Sequence, residues 1–498
     1  DPPEGARGRV PRAVRASGGG EGPVTHRSRF TTELPVDRAT AFAWHERPGA
    51  FERLAPPWER IQVVERVGGI RDGRVTLRVA RGPLHFTWSL RHEGFVADER
   101  FVDVQEEGPF ARWRHLHRFE DRPEGLAALH DEIEWAPPLG AAGDAIASSI
   151  IERDLDRSFR FRQTRLSHDL ADHARWADRP RLRVAISGSS GMIGSALSHL
   201  LTTGGHTVIP LVRSEARARE GEGILFDIEA ERIDADALRG VDAVVHLAGE
   251  PIQALRWTDE KKRAIRESRV RGTALLSRAL AELRDGPGTL VCASAVGFHG
   301  DGGERILDEE APRGRGFLAE TVEAWEGATR RAEGAGLRVV KVRLGVVLSA
   351  SGGALAGMLP IFRAGAAGRL GSGRQYMPWI DLDDATGIFH HALMDANVHG
   401  VLLGAAPHPV PNATFTDTLG RIVKRPTWIP VPSLALRAGL GEMGRELLLA
   451  GQRVRPRRTL AAGYGFRFEH LEDSLRHQLG ALPAGTEAGL PRPPGRGP

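Results

Sequence analysis

Between residues 25 and 168, apolar and polar positions alternate with a period of two in short runs: RFTTELPV, RIQVVERV, GRVTLRVARG, LHFTWSLRHEGFV, ERFVDVQ, FARWRHLHRFED and LAALHDEIEWAPP, set apart by Gly, Pro and Asp. Alternation bounded by turn residues predicts half-buried antiparallel strands. Helical spacing intrudes twice, in DRATAFAWHERP after the first strand and in a longer stretch from about residue 144 to 169. A strand meander and a long closing helix bury their apolar faces on each other, which predicts an α+β region.

After DHARWADRPR the pattern changes. LRVAISG is a continuous apolar run, MIGSALSHLLTTG carries its apolar residues at helical spacing, and HTVIPLVR is apolar again. Strand, helix and strand in this order predict a βαβ unit and a parallel sheet, an α/β fold of the Rossmann kind. The turn between the first strand and the helix reads SGSSGMIG. Gly188 allows a tight turn, Gly191 allows phosphates to approach the backbone, and Gly194 allows helix and strand to pack closely. With Ser189, Ser190, Met192 and Ile193 they form a cradle whose backbone N–H groups and helix N-terminus can receive a pyrophosphate. The spacing is G-x-x-G-x-x-G rather than G-x-G-x-x-G, so the glycines count because of where they sit. At the end of the second strand, in PLVRSEARARE, stands Arg213. Arginine suits a 2′-phosphate and an acid suits free ribose hydroxyls, so NADP is expected, while Glu215 just beyond keeps NAD open.

Composition narrows the partners. The chain has 498 residues and is 41% hydrophobic, enough for two or three cores. Its formal net charge is +4 and its lysines are only Lys261, Lys262, Lys341 and Lys424, so the basic charge is scattered arginine. A nucleic-acid surface needs that charge on one face, and no such partner is expected. No run approaches the ~20 apolar residues of a membrane span. Cys292 is the sole cysteine, and the Pro-, Gly- and Arg-rich ends have no apolar signal segment. Disordered tails and a cytoplasmic protein are therefore expected. His115 and His117 share a strand face with Trp113, but spacing places no third ligand, so they read as cavity-lining or solvent-facing and no metal is expected.

Longer stretches carry resemblances. AFAWHERPGAFERLAPPWE and DVQEEGPFARWRHLHRFE resemble the helix-and-loop and the later hairpin of the START-like, polyketide-cyclase-like helix-grip family. That resemblance implies a hydrophobic cavity under the long helix, suited to a lipid, polyketide or aromatic ligand. ISGSSGMIG, VVHLAGEPI, RWTDEKKRAIRESRVRGTALLSRAL, SAVGFHGDGG, FLAETVEAWE, VRLGVVLSASGGALAGMLPIF and LGSGRQYMPWIDLDD follow in order. They are similar to an atypical, epimerase-like subgroup of the extended short-chain dehydrogenase/reductases. PVPSLALRAGLGEMGRELLLAGQRVRPRRTLAAGYGFRF is similar to the small domain of unknown function that ends this subgroup. The resemblance implies that Asp227 contacts the adenine and that Leu247, Ala248 and Gly249 run under ribose and phosphates. It also implies that Ser294 stands at the catalytic Ser or Thr position and that Leu344, Gly345 and Val346 border the nicotinamide. The expected organisation is a tail over 1–24, a helix-grip domain over 25–170, a linker over 171–181, a Rossmann domain over 182–425, a small C-terminal domain over 426–480 and a tail over 481–498.

The chemistry departs from that family. Short-chain dehydrogenases use a Tyr-x-x-x-Lys pair, the lysine lowering the tyrosine's pKa. Here the two tyrosines, Tyr376 and Tyr464, precede Ile380 and Phe468 at that spacing, and the expected positions hold Phe317 and Thr321. A phenyl ring cannot exchange a proton. Ser294 as a hydrogen-bonding group, His299 as a proton-transfer group and Glu320 as a base on the same helix remain as catalytic candidates. On the substrate side, Met377 stands where the sugar-nucleotide epimerase pattern has a phosphate-gripping arginine, with Arg374 and Gln375 beside it. An apolar residue there favours a hydrophobic carbonyl or alcohol over a nucleotide sugar. Two readings follow: an NADP-dependent oxidoreductase or epimerase-like enzyme of atypical chemistry, or an NADP-binding sensor or ligand-binding protein without turnover. Nothing in the sequence sets the oligomeric state.

Overall fold

A computed structural model describes residues 24–82 and 84–481, so apart from Val24 and Ala481 the expected tails lie outside the described residues. The described residues form two compact units, one running up to Glu46 and from Glu59 to Ala171, the other containing Arg47–Trp58 and residues 172–481. The expected helix-grip region thus gives up Arg47–Trp58, and the expected C-terminal domain does not separate from the Rossmann domain. Local bonds explain the first difference. Arg47 Nη1 donates to the Thr203 carbonyl at 2.8 Å, and buried Arg53 donates to Asp383 Oδ1 at 3.2 Å.

In the first unit, β1 (His26–Leu34) and α1 (Arg38–Glu46) precede β2 (Arg60–Val67), β3 (Arg74–Arg81), β4 (Leu84–Val96), β5 (Arg100–Glu107), β6 (Arg112–Arg122) and β7 (Leu126–Ala136). The sheet order is β1-β7-β6-β5-β4-β3-β2, every pair antiparallel. The period of two reappears as burial: in β6, Trp113, His115, His117 and Phe119 are buried and the residues between them are less so. Phe42 of α1 meets Phe95, Phe101 and Phe119 edge-on at ring separations of 5.6, 6.1 and 5.2 Å. After the short α2 (Ala50–Leu54) of the second unit, the long helix is α3 (Gly140–Arg175), whose Phe159 stacks on Phe30 of β1 at 4.2 Å.

The second unit is a sheet with helices on its faces. Its strands are β8 (Arg183–Ser187), β9 (Thr207–Val212), β10 (Ile224–Asp227), β11 (Arg232–Ile233), β12 (Ala243–His246), β13 (Thr289–Ala295), β14 (Arg338–Leu344) and β15 (Gly400–Gly404), with α4 (Met192–Thr203) between the first two. The order is β11-β10-β9-β8-β12-β13-β14-β15, parallel except for the β10–β11 pair. Val184, Ile186, Val245, Val340 and Val342 are fully buried with Leu197 and Leu201 of α4, which is why these strands read as continuous apolar runs. The strand order turns around β8, between β9 and β12, and a crevice at the carboxyl ends of strands on either side of such a point is where ligands of this architecture bind. Among the described residues no helix is long and apolar enough to cross a membrane.

Candidate functional site

The crevice floor is the glycine turn. Gly188 has φ +71°, and a Cβ there would stand 2.9 Å from the Ala248 nitrogen. A Cβ on Gly194 would stand 2.1 Å from the Gly188 oxygen, so α4 is packed directly on the turn. Gly191 is the N-cap of α4 and offers no capping side chain, and its Cβ would meet only the Gly188 oxygen, at 3.2 Å. The space before the first N–H groups of α4 is therefore free for an external acceptor. Ser189, Met192 and Ile193 are half-buried and Ser190 is exposed. Met192 reaches across, its sulfur 3.2 Å from where a Cβ of Gly352 would be.

Ser187 ties the turn to the next strand. Its hydroxyl bonds His246 Nδ1 at 2.6 Å and accepts from the Leu247 and Ala248 N–H groups at 3.1 and 3.3 Å, which sets the run to Gly249 beside the cradle. Burial, with help from the Arg269 charge, pushes His246 down to about 4, so it is neutral. At the end of β9 Arg213 is exposed and has no ion-pair partner among the described residues. Glu215 is engaged by Arg219 at 2.9 Å and by Arg232. Asp227 Oδ1 accepts from the Glu229 and Ala230 N–H groups at 3.0 and 3.1 Å, so one oxygen of the expected adenine contact closes a turn. Leu344, Gly345 and Val346 are half-buried, and a Cβ on Gly345 would lie 2.4 Å from the Pro378 oxygen. At the family's lysine position Thr321 is buried, and its hydroxyl has no hydrogen-bond partner. A cradle that a Cβ would fill, an uncommitted arginine and an orphaned hydroxyl fit a nicotinamide dinucleotide.

Beyond the cradle the structure rearranges the expected catalytic group. Ser294, at the end of β13, donates its hydroxyl to Glu326 Oε1 at 2.6 Å. Glu326 also takes Nε and Nη2 of Arg343 at 2.8 Å each, and the Arg343 guanidinium lies 3.5 Å from the centre of the Phe298 ring. His299 closes the 3₁₀ turn Val296–His299 and is buried, with neither ring nitrogen partnered. Burial and then the Arg343 charge push it down to about 4, so it is neutral near pH 7. Glu320 does not join them: it is exposed on α5 (Phe317–Gly327), which turns Ala319, Thr321, Val322 and Trp325 inward. The carboxylate that meets Ser294 is Glu326, farther along the same helix. Sequence reasoning missed Glu326 and Arg343: Arg343 is a charge inside the apolar run VRLG, where burial demands a partner, but nothing local sets Glu326 apart from the exposed Glu323 on the same helix.

The substrate-side expectations are sorted by burial. Phe317 meets Trp257 edge-on at 5.2 Å within an apolar cluster that includes Leu318, Leu440 and Met443. Met377 packs partly into the cluster around Trp379 and Phe415. Gln375 donates its amide to the Leu370 and Leu448 carbonyls at 2.9 and 3.0 Å, so it is a brace rather than a free substrate contact, and Arg374 is exposed. Tyr464 is buried with its hydroxyl on Asp384 Oδ1 at 3.0 Å, and burial raises it well above its ordinary value. In the first unit, His115 and His117 are buried and therefore not solvent-facing.

A parallel sheet with a glycine cradle at the switch in strand order defines a dinucleotide-binding protein of the extended short-chain dehydrogenase/reductase type. The chain belongs to the epimerase family. An epimerase family protein of Mycobacterium bovis is 44% identical over 292 residues, covering 59% of this chain and 96% of the relative. A family described as NAD dependent epimerase/dehydratase matches residues 184–402, polyketide cyclase/dehydrase and lipid transport matches 34–161, and a domain of unknown function matches 431–478. The crystal structure of the nucleoside-diphosphate sugar epimerase from Corynebacterium glutamicum is similar over 91% of this chain and 90% of its own, with 34% identity and a TM-score of 0.75. Human epimerase family protein SDR39U1, solved with NADPH, is similar over 60% of this chain and all 100% of its own, with 37% identity and a TM-score of 0.56.

Proposed function

We propose that the second unit binds NADP(H) and acts on an apolar carbonyl or alcohol without a tyrosine acid. The observation that carries this reading is the pair of residues after β9: Arg213 is exposed and uncommitted, while Glu215, the group that would favour NAD, is engaged by two arginines. The human relative solved with NADPH supports the same choice. Gly188, Gly191 and Gly194 would hold the pyrophosphate, Leu247–Gly249 would run beneath it, and the Thr321 hydroxyl would meet the nicotinamide ribose. The bound nicotinamide supplies or accepts a hydride. His299 gives its N–H to the substrate oxygen, since a neutral imidazole polarises a carbonyl without being charged. Phe317, Trp257 and Met443 form an apolar wall that excludes water and disfavours a charged substrate. The first unit binds a hydrophobic molecule or lipid, as the lipid-transport family matched at 34–161 suggests.

The test has two arms. Arg213→Ala should weaken NADPH binding roughly 10- to 100-fold and leave NADH binding nearly unchanged; equal losses overturn the NADP assignment. With a panel of hydrophobic ketones the protein should oxidise NADPH, and His299→Phe should abolish turnover while NADPH still binds. A second reading has its own observation. Ser294 spends its hydroxyl on Glu326 rather than on a substrate. Tight NADPH binding with no turnover across the panel would establish the protein as a cofactor-binding sensor.

A further inference from the structure

On the inner face of the first sheet, β5, β6 and β7 bring four chemically active side chains together. Asp103 lies opposite His115, and His117 lies opposite Asp131. Both histidines and Asp131 are buried, and one ligand atom from each of Asp103, His115 and His117 falls within 4.8 Å of the others. Asp131 Oδ1 is 2.9 Å from His115 Nε2 and takes its hydrogen, which leaves the His115 lone pair on Nδ1, 4.0 Å from Asp103 Oδ2. His117 stands between the two carboxylates, with Nε2 3.3 Å from Asp103 Oδ2 and Nδ1 2.9 Å from Asp131 Oδ1. The second contact is close but off the hydrogen-bond axis. A neutral imidazole has one N–H. Only the charged form of His117 could face both carboxylates with an N–H; in the neutral form one of them meets a lone pair.

Buried Asp131 and half-buried Asp103 bring two negative charges together, and these call for positive charge beside them. Placing it on both His115 and His117 would set two cations in rings whose centroids are 3.8 Å apart, while His92 bonds Oδ1 of Asp103 and not the Oδ2 that faces this pair. One divalent ion supplies the same charge and converts the facing lone pairs into ligands. We propose that the first unit holds a divalent transition-metal ion of the zinc or ferrous type on Asp103 Oδ2, His115 Nδ1 and His117 Nε2. Asp131 then has the role of an outer carboxylate, accepting from the far nitrogen of His115 and lying 2.9 Å from that of His117. His92 Nδ1 bonds the other oxygen of Asp103 at 2.7 Å and so turns Oδ2 inward. Ligands of a tetrahedral ion bound at about 2.0–2.2 Å stand roughly 3.3–3.6 Å apart. The Asp103–His117 separation of 3.3 Å already fits, and the Asp103–His115 separation of 4.0 Å must close slightly. Nearby, His45 ties Nδ1 to the Ala41 carbonyl at 2.8 Å, leaving Nε2 buried without a partner in a ring 6.5 Å from that of His117. Phe101 stacks on His117 at 4.2 Å and Phe159 meets His115 edge-on at 5.5 Å, so the ion sits among aromatic rings. Three protein ligands leave a coordination position open to an oxygen of whatever molecule this unit holds.

The untagged full chain should carry about one zinc or iron ion by mass spectrometry, and after chelation should take up one Co²⁺ with visible ligand-field bands of low coordination number. Asp103→Asn should weaken that uptake by more than roughly 100-fold, and Asp131→Asn by roughly 10- to 100-fold with a shifted Co²⁺ spectrum. An exposed trio, His408, Glu469 and His470, could also take an ion, so the titration is repeated with H408A/H470A. Retained stoichiometric uptake in that variant supports the buried site. If wild type, folded by circular dichroism, takes up none of Zn²⁺, Co²⁺ or Fe²⁺, or if H408A/H470A loses all uptake, the proposal is overturned whether or not Asp103→Asn folds.

Discussion

Glu326 accepts the Ser294 hydroxyl at 2.6 Å and two Arg343 nitrogens at 2.8 Å, in side chains that are 12% and 5% exposed for Glu326 and Arg343. Glu326→Gln leaves the Arg343 charge buried without a counter-charge, and the expected cost is about 3–5 kcal/mol. Ser294→Ala removes one hydrogen bond to a charged acceptor, at about 1.5–3 kcal/mol. Urea denaturation should rank the two in that order; a larger loss from Ser294→Ala would contradict this account of the pair. Gly194→Ala tests the cradle separately, because its Cβ would stand 2.1 Å from the Gly188 oxygen. It should cost about 1–3 kcal/mol and weaken NADPH binding, since α4 must move off the turn. The glycine turn and the place of Ser294 at a strand end were legible in the sequence because both follow from position relative to a strand, while the partner of Ser294 was not. Glu326 and Arg343 were not, because their meeting depends on how far α5 runs back along the sheet.

At the scale of elements, α5 begins without a cap of its own. Its N-cap is Gly316 at φ +108°, which has no side chain to offer. The carboxylate of Glu446 takes the Phe317 and Leu318 N–H groups instead, at 3.0 and 2.9 Å. A negative charge there also favours the positive end of the helix. Glu446→Ala should therefore cost about 0.5–2 kcal/mol and raise hydrogen exchange in the first turn of α5, with Glu446→Gln between it and wild type. Unchanged exchange at residues 317–321 would show that the cap is not needed. The start of this helix and the missing tyrosine could be read from FLAET, while the cap comes from a residue far along the chain that no local spacing marks. Strands were legible for the same reason α5 was, since burial follows the period. The fate of Arg47–Trp58 was not, because a short amphipathic piece carries no sign of which core it joins.

For the whole second unit, buried imidazoles and buried carboxylates oppose each other as pH changes. Burial pushes His206, His246 and His299 down to about 4 and lowers His390 and His391 as well. Burial raises Asp384 to about 7 and, with the neighbouring Asp383 charge, raises Asp381 to about 8. For the histidines the unfolded chain binds more protons below its ordinary 6.5 than the folded chain does, so their stability is present above 6.5 and lost as pH falls toward 4. For the carboxylates the folded chain keeps protons that the unfolded chain has released above its ordinary 3.8, so their stability is lost as pH rises toward 7 and 8. Between pH 4 and 6.5 these five imidazoles outweigh these two carboxylates, and above 6.5 the imidazole contribution fades and the two carboxylates increasingly set the slope. Stability should therefore peak near pH 6.5 and fall on either side by up to about 1.4 kcal/mol per pH unit for each net proton. Hydrogen-exchange protection of β8 and β12 amides, corrected for intrinsic rates, measures this in the second unit itself. His299→Phe removes an imidazole that makes no hydrogen bond, so it should flatten the acid limb and leave the alkaline limb alone. Protection that climbs steadily from pH 5 to pH 8 would mean that the carboxylates are ionised throughout and that the histidines alone govern the unit.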